Sequence, residues 1–176
     1  MKAMIIINDG LEECEALNVY DLLYRAGIST DLVGFTQEVT SSHKVRFQAD
    51  KLLDEIDPKD YDCLILPGGM PGTVHLKEDE RVSYLIDSFM EQNKLIAAIC
   101  AAPSILAEKG LLKNEHFVCY PGFECGLKTA EGKAFREGNI ITGKGLGASF
   151  EFAAMIISGL LSKEKADEVL SSIQYK

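Results

Sequence analysis

The chain has 176 residues, a length typical of one domain whose core needs no disulfide or metal. Its 18 Lys and Arg against 27 Asp and Glu give a net charge of −9, which argues against a nucleic-acid partner because phosphates are also anionic. The five cysteines are scattered and match neither a disulfide framework nor a zinc motif, so a reducing, cytoplasmic compartment is expected. No apolar run is long enough for a membrane span or a signal-peptide core, so we expect no membrane association and no targeting segment.

Strand-like and helix-like segments alternate along the chain. The predicted strands are short apolar runs at 3–7, 28–35, 63–66, 95–99, 117–120 and 139–142. The predicted helices cover 13–26, 79–93, 102–109 and 147–160, and Ser162 is placed to N-cap a last one. Residues 39–48 are polar and alternating, which indicates a hairpin or edge excursion. This order predicts a single α/β domain over residues 1–176, with a mainly parallel sheet covered on both faces.

Cys100 occupies the most informative junction, between the strand at 95–99 and a helix with Pro103 in its first turn. In sheets of this kind the ligand site lies beyond the carboxyl ends of the strands. Free backbone N–H groups and the positive end of the helix dipole favour a thiolate there, so we expect a lowered pKa and a nucleophilic sulfur. The alternative is a buried structural cysteine, the class to which Cys63 is assigned because it lies inside a strand.

Glu15 falls on the buried stripe of the first predicted helix. The apolar residues that share its face are Val19, Leu22 and Ala26. A buried carboxylate is unfavourable unless it is paired or protonated, and either condition usually marks a functional site. A protonated Glu15 could hydrogen-bond a Cys100 thiolate, whereas an ionised one would oppose thiolate formation. The alternative is a first-turn carboxylate that interacts with the helix dipole.

The opposite side of the same helix is also apolar. Leu17, Tyr20 and Tyr24 project away from the buried stripe. A second apolar surface on a small domain predicts a partner, most simply a second copy of the chain, although scattered surface aromatics are common.

Two glycine-rich segments follow predicted strands. In 67–72, Gly68 and Gly69 let backbone approach a ligand closely, and free amides there, like that of Ala101, could stabilise an oxyanion; a plain tight turn is the alternative. In 143–147 the glycines match neither a dinucleotide fingerprint nor a P-loop, which predicts a tight reversal with Lys144 near the site rim and no nucleotide cofactor.

The three histidines lack metal-ligand spacing, and no Asp/Glu/His cluster accompanies them in the sequence, so no metal site is expected. They are His43, His75 and His116.

Several segments together resemble the DJ-1/ThiJ/PfpI superfamily, most closely its DJ-1 (ThiJ)-like branch. They are 9–15 (DGLEECE), 25–28 (RAGI), 66–69 (LPGG), 97–103 (AAICAAP) and 145–152 (GLGASFEF). The resemblance implies a flavodoxin-like three-layer α/β/α sandwich and a homodimer that uses the first helix. It implies that Cys100 is the oxidation-prone nucleophile, Glu15 its protonated partner, and the Gly69 and Ala101 amides the oxyanion hole. The activities it implies are cofactor-free conversion of methylglyoxal to lactate and deglycation of proteins.

Three positions depart from the family pattern. The DJ-1 branch commonly has His-Pro where this chain has Tyr120-Pro121, and a tyrosine is a poor base at neutral pH. With Gly68, these two residues are assigned to substrate binding. The peptidase branch places His directly after the cysteine, where this chain has Ala101, so a PfpI-type peptidase is disfavoured. His43 stands where related chains carry an arginine that reaches across the dimer.

Three functional hypotheses follow. The first is a cysteine-dependent enzyme acting on small dicarbonyls or glycated groups, and the second is a redox sensor or stress-response chaperone that uses oxidation of Cys100. The third, a flavodoxin or phospho-receiver module, is disfavoured. Acidic residues such as Asp9 follow the first strand where a flavin phosphate would bind, and 67–69 replaces the receiver aspartate.

Overall fold

The computed structural model describes residues 1–175 as an alternation of strands and helices. The strands are β1 Lys2–Ile7, β2 Ser29–Gly34, β3 Glu38–Thr40, β4 Arg46–Gln48, β5 Lys51–Leu52, β6 Cys63–Leu66, β7 Leu95–Ile99, β8 Ala134–Glu137 and β9 Ile140–Gly143. The helices are α1 Glu13–Arg25, α2 Gly72–Glu78, α3 Glu80–Glu91, α4 Pro103–Glu108, α5 Ser149–Leu160 and α6 Lys163–Ser172. The Ser162 hydroxyl accepts the Lys165 N–H, so it caps α6 as predicted.

Seven of the strands form one sheet in the order β5-β2-β1-β6-β7-β9-β8. Neighbouring strands pair in parallel, except that β8 runs antiparallel to β9 at the edge. The predicted mainly parallel sheet is therefore confirmed. Strands β3 and β4 form a separate antiparallel hairpin, which confirms the excursion predicted at 39–48.

The sheet separates two hydrophobic clusters, because successive side chains of a strand point to opposite faces. In β1, Ala3, Ile5 and Ile7 join the cluster beneath α1, α5 and α6. Met4 and Ile6 join the other cluster, with apolar residues from α2, α3 and α4. The result is a three-layer α/β/α sandwich, with the carboxyl ends of β1, β6 and β7 side by side at one edge.

The strand predicted at 117–120 is wrong. Phe117, Val118 and Cys119 are buried, which explains the apolar run, but they extend beside β9 without pairing as a strand. The Val118 N–H donates to the Thr142 hydroxyl, and the Tyr120 N–H donates to the Cys100 carbonyl. Side-chain and loop hydrogen bonds thus replace a strand ladder at this position.

Three elements, α2, β5 and β8, lie where no helix or strand was predicted. Helix α2 begins at Gly72, directly after the glycine-rich loop, and β8 is an edge strand. Edge strand β8 is only half-buried or exposed along its length, so it lacks the apolar run by which the core strands were found. Within residues 1–175, no helix is long and apolar enough to cross a bilayer.

Helix α1 has the predicted buried stripe, but only part of the apolar surface predicted on its opposite side. Glu15 is buried with Val19 and Leu22 against the sheet. On the far side, Leu17 and Tyr24 are exposed, the latter to 72%. Tyr20 was expected to project away as well, but it is half-buried and packs against the hydrophobic cluster on the α1 side of the sheet.

Candidate active site

Cys100 sits between the end of β7 and the start of α4, in a backbone conformation that is unusual for a residue with a side chain. Its φ is 65°. Two hydrogen bonds hold this turn: the Cys100 N–H donates to the Gly143 carbonyl at 2.9 Å, and its own carbonyl accepts the Tyr120 N–H at 2.8 Å. A positive φ outside glycine costs free energy and is concentrated at functional sites, where the surrounding structure enforces it.

Glu15 reaches the same place from α1 and is only 1% exposed. Its Oε2 accepts the Gly68 N–H at 2.9 Å, whereas its Oε1 has no hydrogen-bond partner of standard geometry among residues 1–175. Burial raises the pKa of this carboxyl to about 7, and hydrogen bonding to the Cys100 side chain and to the Gly68 amide opposes the rise only partly. Because Oε2 is already an acceptor, a proton on this carboxyl belongs on Oε1.

Gly68 allows the carboxyl and the cysteine to approach each other. A Cβ at this position would lie 2.5 Å from the Cys100 Cβ and 2.8 Å from Glu15 Oε2. Both distances are far below van der Waals contact, so only glycine fits between the two groups. Gly69 is restricted for a different reason: its φ is 94°, and a side chain there would overlap the backbone of Glu12.

The backbone N–H groups of Gly69 and Ala101 act on the Cys100 sulfur by hydrogen bonding, and both lower its pKa. The net shift is nevertheless upward. Burial, followed by the charge of Glu15 and a hydrogen bond to it, raises the pKa of the Cys100 thiol to about 12. The expected lowered pKa is therefore wrong, because local amides and a short helix do not outweigh burial beside a carboxylate.

The two groups form a coupled pair. The first proton leaves near pH 7 and the second only in strongly basic solution, so over a wide pH range the pair holds one proton and one negative charge. In the favoured arrangement the thiol keeps its proton and the carboxylate beside it is ready to accept it.

A shallow depression of about 380 Å³ adjoins the cysteine. Its lining includes Tyr120, Pro121, Gly145 and two lysines, Lys133 and Lys144. A Cβ built on Gly145 would lie 4.0 Å from the Cys100 sulfur and 3.4 Å from the Tyr120 ring, so this wall of the depression directly borders the sulfur. Tyr120 is 52% exposed and Lys144 is at the rim, where the sequence predicted it.

His43 does contact acidic residues, which corrects the expectation that no Asp/Glu/His cluster exists. Its Nδ1 lies 3.1 Å from Glu13 Oε1 and 3.6 Å from Glu12 Oε2. The three side chains could offer ligand atoms to a metal ion within 4.8 Å of one another. The sequence could not indicate this, because the β3–β4 hairpin brings His43 to the start of α1 across 30 residues.

The structure brings most of the predicted site residues together. Glu15, Cys100 and the amides of Gly69 and Ala101 converge around Gly68, and Tyr120 and Pro121 line the adjoining depression. Sequence reasoning missed Lys133, which flanks the depression from the loop just before β8. It singled out 143–147 as a glycine-rich reversal but gave Gly145 no role at the site. Cys63 is buried inside β6, and its pKa is raised by that burial first and by the charge of Asp62 second.

The chain belongs to the DJ-1/PfpI family, whose model matches residues 1–159. It is 36% identical over 169 residues to Protein DJ-1 homolog B of Arabidopsis thaliana, covering 92% of this chain but only 38% of the plant protein. It is 31% identical to the glutathione-independent glyoxalase DJR-1.2 of Caenorhabditis elegans, over 92% of this chain and 89% of that protein. The oxidized structure of Toxoplasma gondii DJ-1 superposes with a TM-score of 0.93 at 33% identity, covering 98% of this chain and 97% of that one.

Proposed function

We propose that this protein converts small 2-oxoaldehydes such as methylglyoxal into 2-hydroxy acids, with Cys100 as the nucleophile. The observation that carries the proposal is the buried carboxyl–thiol pair, with two backbone amides aimed at the sulfur. A relative named as a glyoxalase supports the substrate class. Glycated amino or thiol groups, which also present a reactive carbonyl carbon, are related substrates of the same site.

Glu15 acts as the general base for the first step. Its pKa near 7 suits a base that works at neutral pH, and the Cys100 thiol is the proton it accepts. As the proton moves to the carboxylate, the sulfur adds to the aldehyde carbon and forms a hemithioacetal. The Gly69 and Ala101 amides hold the oxygen that becomes negative in this step.

The remaining steps move two protons and consume one water. Glu15 passes the proton it took from the thiol to the ketone oxygen, and the freed carboxylate then moves the hydrogen of the former aldehyde carbon, as a proton, to the neighbouring carbon. These transfers turn the ketone into an alcohol and the hemithioacetal into a thioester. Water then cleaves the thioester, releasing the hydroxy acid and restoring the thiol. Glu15 is the group positioned to carry protons between these atoms, and the Tyr120 hydroxyl can donate a hydrogen bond but is a poor base.

Lactate formation from methylglyoxal tests the proposal. We expect Cys100→Ser to lower kcat/KM by about a thousandfold or more, because an alcohol is a far weaker nucleophile than a thiol. Cys125→Ser is the matched control, since Cys125 is exposed and lies outside the carboxyl–thiol pair. Activity that survives in Cys100→Ser and disappears in Cys125→Ser would overturn the assignment.

Oxidation of Cys100 is a second candidate function, favoured by one observation. The position where the family pattern commonly places a proton-carrying histidine holds Tyr120, so the imidazole that would assist turnover is replaced by a phenol there. In this role the protein is a redox sensor or stress-response chaperone, and it works in the reducing cytoplasm suggested by its five free cysteines.

Peptide mass spectrometry after mild peroxide treatment tests this second role. We expect sulfinate at Cys100 in preference to Cys125, even though Cys125 is the more exposed thiol. Selectivity that follows exposure, with Cys125 oxidised first, would contradict it. In Glu15→Gln we expect slower oxidation of Cys100, because this substitution removes the base that helps generate the reactive thiolate.

A further inference from the structure

The surface beside the Cys100 sulfur carries local positive charge, although the chain as a whole has a net charge of −9. Lys133 and Lys144 both line the depression of about 380 Å³ that Tyr120 and Gly145 share. A Cβ built on Gly145 would lie 4.0 Å from the Cys100 sulfur, so the Gly145 side of the depression is the side that borders the reacting atom.

The two lysines are neighbours in space, but only one of them has an ion-pair partner. The backbone N–H of Lys144 donates to the Lys133 carbonyl at 2.9 Å, which holds the two backbone segments together. The Lys133 ammonium is 2.5 Å from Glu151 Oε1, so most of its charge is compensated. The Lys144 ammonium makes no hydrogen bond or ion pair within residues 1–175, which leaves it as the uncompensated cation of this wall.

Methylglyoxal uses none of this charge, because it is a small neutral molecule. We propose that the depression is an anion subsite, in which Lys144 binds the phosphate group of a phosphorylated 2-oxoaldehyde while its aldehyde faces Cys100. A phosphate monoester carries nearly two negative charges and three acceptor oxygens. The donors for them are the Lys144 ammonium, the one N–H of the Lys133 ammonium that neither Glu151 nor the Tyr175 hydroxyl uses, and the Tyr120 hydroxyl.

This inference rests on the proposed function and narrows its substrate class. The balance is the one already given: R–CO–CHO and one water yield R–CHOH–COO⁻ and one proton, and the phosphate ester is unchanged. Lys144 is a specificity-determining residue in this scheme, since it contacts a part of the substrate that does not react. Its attraction to the phosphate acts partly in solvent, so we expect it to weaken with added salt.

The kinetic test compares hydroxypyruvaldehyde phosphate, the phosphate-bearing counterpart of methylglyoxal, with methylglyoxal itself. We expect wild type to prefer the phosphate-bearing substrate in kcat/KM, and Lys144→Met to reduce that preference about tenfold, as loss of a charge-assisted contact should. Lys113→Met is the control, because Lys113 is an exposed lysine outside the depression. An equal preference in wild type, or an effect as large in Lys113→Met, would overturn the subsite.

Direct binding separates this inference from the proposed function. Isothermal titration with 3-phosphoglycerate, the expected product, needs no turnover. Binding to wild type that weakens about tenfold in Lys144→Met and falls with salt supports the subsite even if neither aldehyde is consumed. Turnover of methylglyoxal together with no Lys144-dependent binding of 3-phosphoglycerate would leave the enzyme intact and refute the anion subsite.

Discussion

The titration of Glu15 shows how one side chain can couple stability to pH. Burial raises its folded-state pKa from about 4.5 to about 7, so between these values the folded chain binds more protons than the unfolded chain. The free energy of unfolding therefore falls as pH rises through this window, by about 3 kcal/mol in total, and remains lower above it. At low pH the neutral acid is compatible with burial, which is why stability is greatest there for this group.

Glu15→Gln should remove this decline, because the amide is neutral at every pH. Urea denaturation at about pH 5 and about pH 8 measures it, with the difference between the two free energies of unfolding as the readout. Glu38→Gln is the control, since Glu38 is exposed on β3 and should keep the wild-type difference. Identical pH dependence in Glu15→Gln and wild type would show that the carboxyl titrates normally.

At the scale of elements, the site depends on how closely α1, β7 and the loop after β6 approach one another. Gly68 lies where they meet, with the Cys100 Cβ and Glu15 Oε2 on either side. The alanine methyl in Gly68→Ala should push these elements apart at a cost of about 1–3 kcal/mol in the free energy of unfolding. Gly147→Ala is the matched change, because a Cβ there meets nothing within 4 Å.

Chemical denaturation of both glycine variants, together with methylglyoxal turnover by Gly68→Ala, checks this prediction. We expect Gly68→Ala to lose stability and most of its activity, while Gly147→Ala unfolds like wild type. A Gly68→Ala protein of unchanged stability would mean that the elements adjust without strain.

The elements that the sequence predicted correctly are those whose burial leaves a clear apolar pattern in the sequence. Strand β1 is a continuous apolar run because both its faces are covered, and α1 shows the spacing of a helix with one buried stripe. The run at 117–120 has the same apolar character, but its hydrogen bonds go to the Thr142 side chain and the Cys100 backbone, which no local pattern reveals. Edge strand β8 is too exposed to carry a burial signal.

The sequence predicted which residues form the site better than it predicted their pKa values. The position of Cys100 after a core strand and of Glu15 on a buried stripe follows from spacing. Their mutual effect on pKa depends on burial and on a contact across many residues, so the expected lowered thiol pKa could not be corrected from the sequence. The contact between His43 and Glu13 is long-range in the same sense.

For the whole molecule, the exposed side of α1 predicts self-association. Leu17 and Tyr24 are 40% and 72% exposed, and they lie two turns apart on one side of the helix. A charge placed in an apolar interface is strongly unfavourable, so we expect Tyr24→Glu to turn a wild-type dimer into a monomer.

Size-exclusion chromatography with light scattering gives the mass of each species. Tyr84→Glu is the control, because Tyr84 is similarly exposed, to 63%, but lies on α3 in the opposite layer. A monomeric wild type at micromolar concentration would refute the dimer, and a Tyr24→Glu protein that remains dimeric would place the interface elsewhere.

The contacts around Cys100 come from segments far apart in the chain: the Glu15–Gly68 bond spans 53 residues, and Cys100 itself is bonded to Gly143 and Tyr120. During folding, such long-range contacts close late, after the loops between them have been ordered. In a nascent or partly unfolded chain, Cys100 is therefore an ordinary thiol, and its distinctive chemistry arises only when the sheet is complete. The topology thus couples the catalytic chemistry of Cys100 to completion of the fold, because Glu15 and the two backbone amides meet the sulfur only there.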